Sequence, residues 1–254
     1  MMTRLWIMSD LHLEAVAFPG AFRPAPPDFD VLVVAGDICE GDTDGALRKV
    51  RHLANDKPAV FVLGNHEFWG REVARERRTA RRAAERHGVV LLDDGVSDLA
   101  GLRFVGGTLW ADGVLAGDAA TPELPTGERI RVGSSGRPIT GADEVLLHRQ
   151  TSRLIRKATS EDGLPLVVVT HHTPHPLCLP ETHRSGWAAG NAASDLSALT
   201  DSGRIAVWVH GHVHHNVDLV RPGGTRIVCN PAGPGFTNPS FREDLVVTVP
   251  PVAA

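Results

Sequence analysis

The chain has 254 residues and 42% hydrophobic content, enough to bury one sizeable core, so residues 1–254 read as a single α/β domain. A formal net charge of −4 supplies no basic footprint for a nucleic-acid backbone. Three cysteines, Cys39, Cys178 and Cys229, have neither the even count nor the C-x-x-C spacing of a disulfide framework or zinc knuckle. No apolar run nears the roughly 20 residues that span a bilayer, and Leu5–Met8 is too short for the apolar part of an export signal. A reducing cytoplasm is the expected compartment.

In chain order, Leu5–Met8, Val31–Ala35 and Ala59–Leu63 are short apolar runs, rich in β-branched residues or bounded by Gly and Pro, and predict buried strands. A helix is expected over Asp44–Asp56, capped by Asp42 or Thr43, and another over Arg71–His87. That second helix holds seven arginines against three glutamates. Val73, Ala80, Ala83 and Ala84 can face a sheet while the arginines pair with Glu72, Glu76 and Glu85 at helical spacing, a reading preferred over a phosphate-binding face. A third helix is expected over Ala142–Ser160, followed by buried strands at Leu166–Val169 and Ile205–Val209. Strands at Arg103–Gly106, Arg226–Cys229 and Leu245–Val249 are assigned to a second sheet, with Val89–Leu92 at one edge. Ala111–Gly141 and Thr173–Ala193 lack an apolar period and read as long loops of the kind that bind substrate.

Five of these runs end on residues that ligate metal: Ser9-Asp10-Leu11-His12, Gly36-Asp37, Gly64-Asn65-His66, Thr170-His171-His172 and Gly211-His212-Val213-His214. Ligands of open α/β sheets bind beyond the carboxyl ends of the strands, so these side chains are aimed at one place. Two carboxylates, an amide oxygen and several imidazoles are too many donors for one tetrahedral zinc. A carboxylate shared between two ions uses them all. Two divalent cations outweigh Asp10 and Asp37, leaving a net positive site that attracts an anion and acidifies bound water. Such a pair suits in-line displacement at phosphorus.

The series D-x-H, G-D, G-N-H-E, H and G-H-x-H, in this order from Asp10 to His214, resembles the calcineurin-like metallophosphoesterase superfamily. The resemblance implies a four-layer αββα sandwich of two packed mixed β-sheets flanked by helices, with a dinuclear metal site at strand carboxyl ends. It implies that Asp10, His12 and His214 hold one metal, that Asn65, His171 and His212 hold the other, and that Asp37 bridges them. His171 is preferred to His172 because the family ligand usually comes first in T-H-H-x-P; here His-Thr-Pro at 172–174 stands where a second proline is common. His66 matches the family histidine that contacts the scissile phosphate and protonates the leaving oxygen. The attacking group would be a hydroxide held by the two ions, which can be Mn, Fe, Zn, Co or Ni.

The expected substrate is a small, nucleotide-like phosphomonoester or phosphodiester. A nuclease is the alternative, and a non-catalytic scaffold is disfavoured because every ligand position is filled. Within Thr173–Ala193, His175, Arg184 and Trp187 are candidate substrate contacts, the arginine for a phosphate or carboxylate. His215 and His175 are also candidate partners of the ligand histidines. His52, His87, His148, His183 and His210 read as ordinary structural residues, Phe68 and Trp69 as rim or core aromatics, and Asn230 as a turn residue.

Overall fold

In the computed structural model, residues 2–119 and 125–251 are described. The strands are β1 (Thr3–Met8), β2 (Val31–Val34), β3 (Ala59–Phe61), β4 (Val90–Leu91), β5 (Gly95–Leu99), β6 (Leu102–Gly107), β7 (Pro125–Val132), β8 (Arg137–Thr140), β9 (Leu166–Thr170), β10 (Val207–His210), β11 (Val217–Val220), β12 (Arg226–Cys229) and β13 (Val246–Val249). The helices are α1 (Thr43–Ala54), α2 (Val73–His87), α3 (Gly141–Thr159), α4 (Trp187–Ala192) and α5 (Ser197–Thr200). One sheet has the order β13-β1-β2-β3-β4, a second the order β11-β12-β10-β9-β6-β5, and β7 and β8 form a separate two-stranded sheet. β1, β2, β3 and β4 run parallel, as do β12, β10, β9 and β6, while β13, β11 and β5 are antiparallel edges.

The period-2 alternation of the strands builds the layers. Leu5, Ile7, Val31, Val33 and Val60 of the first sheet pack with Phe104, Val167, Val169, Val207, Val209 and Val228 of the second. Their neighbours Trp6, Met8, Leu32, Val34 and Phe61 point the other way, onto Leu47 and Val50 of α1 and Ala80 and Ala83 of α2. On the far face, Val105, Val168, Trp208 and Ile227 pack with Ile155 and Ala158 of α3 and Leu199 of α5. Helix, sheet, sheet, helix is the expected four-layer sandwich. Among the described residues, no helix is long and apolar enough to cross a membrane.

Three details depart from the sequence reading. β13 and β4 lie in the first sheet, since β13 pairs with β1 from Thr3↔Val249 to Trp6↔Val246 and β4 pairs with β3. Conversely β9 and β10 lie in the second sheet, so the five ligand-bearing strands are divided between two sheets. The segment Ala111–Gly141 contains the β7–β8 hairpin, whose Ile130 and Ile139 are buried.

Asp42 caps α1, its side chain accepting the Gly45 N–H, and Glu72 caps α2 through the N–H groups of Ala74 and Arg75. Three arginines of α2 find partners on other elements: Arg77 pairs with Asp93 and Asp94, Arg81 with Asp93, and Arg86 with Asp44. Glu76, expected to serve them, is itself buried against the core.

Candidate metal centre and active site

The loops after β1, β2 and β3 meet those after β9 and β10. Backbone bonds lace them together: Asp10 N–H donates to Gly36 O at 2.9 Å, His12 N–H to Asp37 O at 3.1 Å, and Gly211 N–H to His171 O at 3.0 Å. The approach leaves no room at the first turn. A Cβ on Gly36, which has φ of 85°, would stand 2.6 Å from both Gly64 N and His171 Nδ1.

Asp10, His12, Asp37, His212 and His214 all adopt positive φ, between 42° and 72°. Left-handed backbone costs a residue with a Cβ roughly 1–2 kcal/mol, and such strain concentrates where function over-determines the geometry. Here it aims side chains into one centre.

Two groups of donors result. In one, His12 Nε2 lies 3.1 Å from His214 Nε2 and 3.8 Å from Asp37 Oδ2, and His214 Nε2 lies 3.4 Å from Asp10 Oδ1. In the other, Asn65 Oδ1 stands 3.0 Å from both His171 Nε2 and His212 Nδ1, and His171 Nε2 is 3.1 Å from Asp37 Oδ2. Asp10, His12, Asp37 and His171 are almost wholly buried.

Hydrogen-bond bookkeeping tests whether a cation fits. His171 Nδ1 donates to Ala35 O at 2.8 Å, so the neutral ring turns a lone pair on Nε2 toward Asn65 Oδ1 and Asp37 Oδ2, both acceptors. His12 is set the same way: Nδ1 bonds Glu14 Oε1 at 2.9 Å and Nε2 faces inward. Imidazoles whose outer nitrogen is fixed by a carbonyl or carboxylate are characteristic of metal ligands. The converging lone pairs are mutually repulsive until a proton or cation enters.

Without metal, protons do that work. Burial alone would lower His171, but the charge of Asp37 outweighs it and the imidazole is pushed up to about 9. Burial likewise works to raise Asp37, yet the charge of His171 holds it well below the usual carboxylate range. Burial and the neighbouring His171 push His212 down to about 3. A metal ion substitutes for the proton on such a cluster, which is why affinity rises with pH.

His172 is arranged differently. Its Nδ1 faces Thr108 O at 3.3 Å, and its ring stacks on His212 with centroids 4.2 Å apart and on Trp110 at 5.6 Å. Its donor atoms nevertheless lie within 4.8 Å of those of His171 and His212.

His66 follows Asn65 on the rim of the cluster. Its backbone N–H donates to Asp37 Oδ1 at 2.8 Å, while its ring meets His12 edge-on at 4.6 Å and lies flat on Trp69 at 3.7 Å. Burial pushes its pKa down.

Beside the donors opens a cavity of about 360 Å³ whose walls include Asn65, His212, Trp69, Trp110, Trp187 and Arg129. Trp187 is thus at the site, 59% exposed. His175 and Arg184 are not among the cavity's residues. The His175 ring is buried and accepts the Leu177 N–H, and Arg184 donates to Leu179 O, so both hold their own loop. His215 bonds Cys178 O and Val213 O, also loop-holding contacts. A larger cavity of about 520 Å³, walled by residues such as Arg23, Lys49 and His52, contains none of the seven donors.

Three supporting residues, Glu67, Glu14 and Arg129, went unread in the sequence, and a fourth, Trp69, was read as a rim or core aromatic without its contact to His66. Buried Glu67 accepts N–H groups from Gly64, Asp37, Ile38 and Cys39, tying the turn after β2 to the turn after β3. Burial and the charge of Asp37 push it up to about 7 against those bonds. Glu14 orients His12, Trp69 supports His66, and Arg129 comes from the β7–β8 hairpin. Glu67 stood inside the G-N-H-E motif and Glu14 two places past His12, whereas nothing marked Arg129.

Residues 3–216 match the sequence profile of the calcineurin-like phosphoesterases. No curated protein matches the chain. Among solved structures, phosphopantetheinyl hydrolase (PptH) from Mycobacterium tuberculosis is 20% identical with a TM-score of 0.67, over 91% of this chain and 89% of that one. A dimetal phosphatase from Danio rerio is 15% identical with a TM-score of 0.53, over 97% and 98%. At such identities the likeness is one of fold. The match across five motifs and the metal-binding cluster they build make this chain a member of the calcineurin-like phosphoesterase family, a metal-dependent hydrolase of phosphoester bonds.

Proposed function

We propose that the protein hydrolyses small, nucleotide-like phosphoesters at a dinuclear metal site. The observation that carries this reading is the position of Asp37 Oδ2, which faces His171 Nε2 at 3.1 Å and His12 Nε2 at 3.8 Å and so belongs to both donor groups. Asp10, His12 and His214 would hold one ion, Asn65, His171 and His212 the other, with Asp37 shared. The distances favour His171 over His172, whose ring packs between His212 and Trp110. The donor set mixes imidazole with hard oxygen and accepts Mn, Fe, Zn, Co or Ni. Bound ions would supply the positive charge that holds phosphoryl oxygens and acidifies water.

The chain's own part is orientation and proton transfer. His66 acts as general acid toward the leaving oxygen. Burial lowers its pKa in the free protein; a phosphoryl anion beside it acts the other way and favours the protonated ring. A cavity of about 360 Å³ walled by tryptophans is of the size that takes a small organic group. Nucleic acid is less favoured, because Arg77, Arg81 and Arg86 of the basic helix are already engaged by carboxylates.

The test is a screen of metal-loaded protein against bis(p-nitrophenyl) phosphate, p-nitrophenyl phosphate, cyclic nucleotides and a phosphopantetheinyl ester. Turnover of at least one, abolished by chelation, is expected. A protein carrying two ions yet inert toward all of them would overturn the reading.

A further inference from the structure

We propose that Trp69 is a positioning residue that holds the His66 ring in its working orientation, and that Arg129 clamps Trp69 in place. This rests on the reading of His66 as general acid. An imidazole that must deliver a proton along one direction needs its ring plane fixed, commonly by a hydrogen bond to its second nitrogen. His66 has none: Nδ1 is buried and finds no hydrogen-bond partner among the described residues.

Two ring contacts stand in for that bond. The edge of His12 at 4.6 Å and 84° leaves rotation about χ2 little hindered, whereas the face of Trp69, 3.7 Å away and inclined by 26°, is incompatible with turning the imidazole out of plane. Flat aromatic contact of this kind is directional as well as apolar.

Trp69 is itself secured. Its backbone N–H donates to His66 O at 3.1 Å, and the Arg129 guanidinium carbon lies 4.6 Å from its ring centroid. Arg129 is in turn held by Glu40 at 2.9 Å. Strand β7 runs along the residues that follow, with Gly70 N–H donating to Arg129 O at 2.7 Å and Arg131 N–H to Arg71 O at 2.8 Å. The hairpin therefore reaches the acid through one tryptophan.

The experiment compares kcat and KM for an alkyl phosphoester and its p-nitrophenyl counterpart in wild type, His66→Ala, Trp69→Phe, Trp69→Ala and Arg129→Met, with metal content measured on each. General-acid help is worth roughly 10²–10⁴-fold where the leaving group is poor. Trp69→Ala should lose about tenfold or more in kcat on the alkyl ester, far less on the activated ester, and keep its metals. Trp69→Phe, which retains a flat face, should recover most of that loss, and Arg129→Met should show a smaller loss with the same leaving-group dependence. If His66→Ala loses equal rate on both esters, the general-acid reading fails. If His66→Ala discriminates but Trp69→Ala raises KM for both esters with kcat intact, Trp69 is a substrate wall and the positioning inference fails. Should Trp69→Ala not fold, Trp69→Phe and Arg129→Met decide: a KM effect alone in both overturns the proposal.

Discussion

The Asp37 carboxylate faces histidines of both donor groups. Oδ1 accepts the His66 N–H, Oδ2 faces both histidine groups, and its own N–H is bound by Glu67. The Asp10 carboxylate faces the ligand-type ring nitrogen of His214 and otherwise accepts the backbone N–H of His212. Asp37→Asn is therefore expected to cost more turnover than Asp10→Asn, by about 100-fold or more on the scale of a lost charge-stabilising group. Steady-state kcat with elemental analysis checks it; near-native turnover with both ions retained would remove Asp37 from its shared role. Glu67 offers a second test. An amide at that position turns N–H groups toward backbone donors, so Glu67→Gln should lose roughly 1–3 kcal/mol, the scale of an unsatisfied buried polar group, read as a lower urea midpoint. The donors were legible in the sequence because each terminates an apolar run. The contacts of Glu67 and Trp69 were not, although one stands in the G-N-H-E motif and the other read as a rim or core aromatic, since their partners are backbone and a neighbouring ring.

Between strands, the turns do the aiming, and Gly36 shows how little slack they have. Its φ of 85° and the 2.6 Å approach of Gly64 N and His171 Nδ1 to a would-be Cβ mean that Gly36→Ala strains the backbone and displaces a ligand histidine together. We expect about 2 kcal/mol or more of destabilisation and weaker metal retention, measured by denaturation and by dialysis against chelator. Unchanged metal content would show that the turn relaxes away from His171. Core strands were readable at this scale because burial on both faces gives continuous apolar runs, and α1, α2 and α3 begin within two residues of their expected starts. The hairpin was hidden because, among the described residues, Ile130 and Ile139 are its buried core members with Val132 half-buried against them, too sparse an alternation to read as strands. Sheet membership was also hidden: Val246–Val249 is apolar and β-branched whichever sheet takes it, and only the antiparallel pairing with β1 decides.

Across the molecule, the proposed centre is where two sheets are joined by polar chemistry. Asp10, His12, Asp37 and Asn65 follow strands of the first sheet, and His171, His212 and His214 follow strands of the second. Asn230 also spans that seam, donating to Ile7 O of β1 and to Arg242 O. Metal binding at that proposed centre would couple to the packing of one half on the other, and anything that binds only the folded state stabilises it by mass action. At free metal about 100-fold above the dissociation constant the gain is about 2.7 kcal/mol, which for a domain of this size raises Tm by roughly 5–10 °C. Removing a donor from either sheet, as in Asp10→Asn or His212→Ala, should erase most of that increment, because each ion needs ligands from both sides. Calorimetry of chelated and reloaded protein checks this. Equal Tm values for the chelated and reloaded forms, with two ions per chain in the latter, would mean that the ions bind the unfolded chain as tightly as the folded one and would remove the coupling to sheet packing.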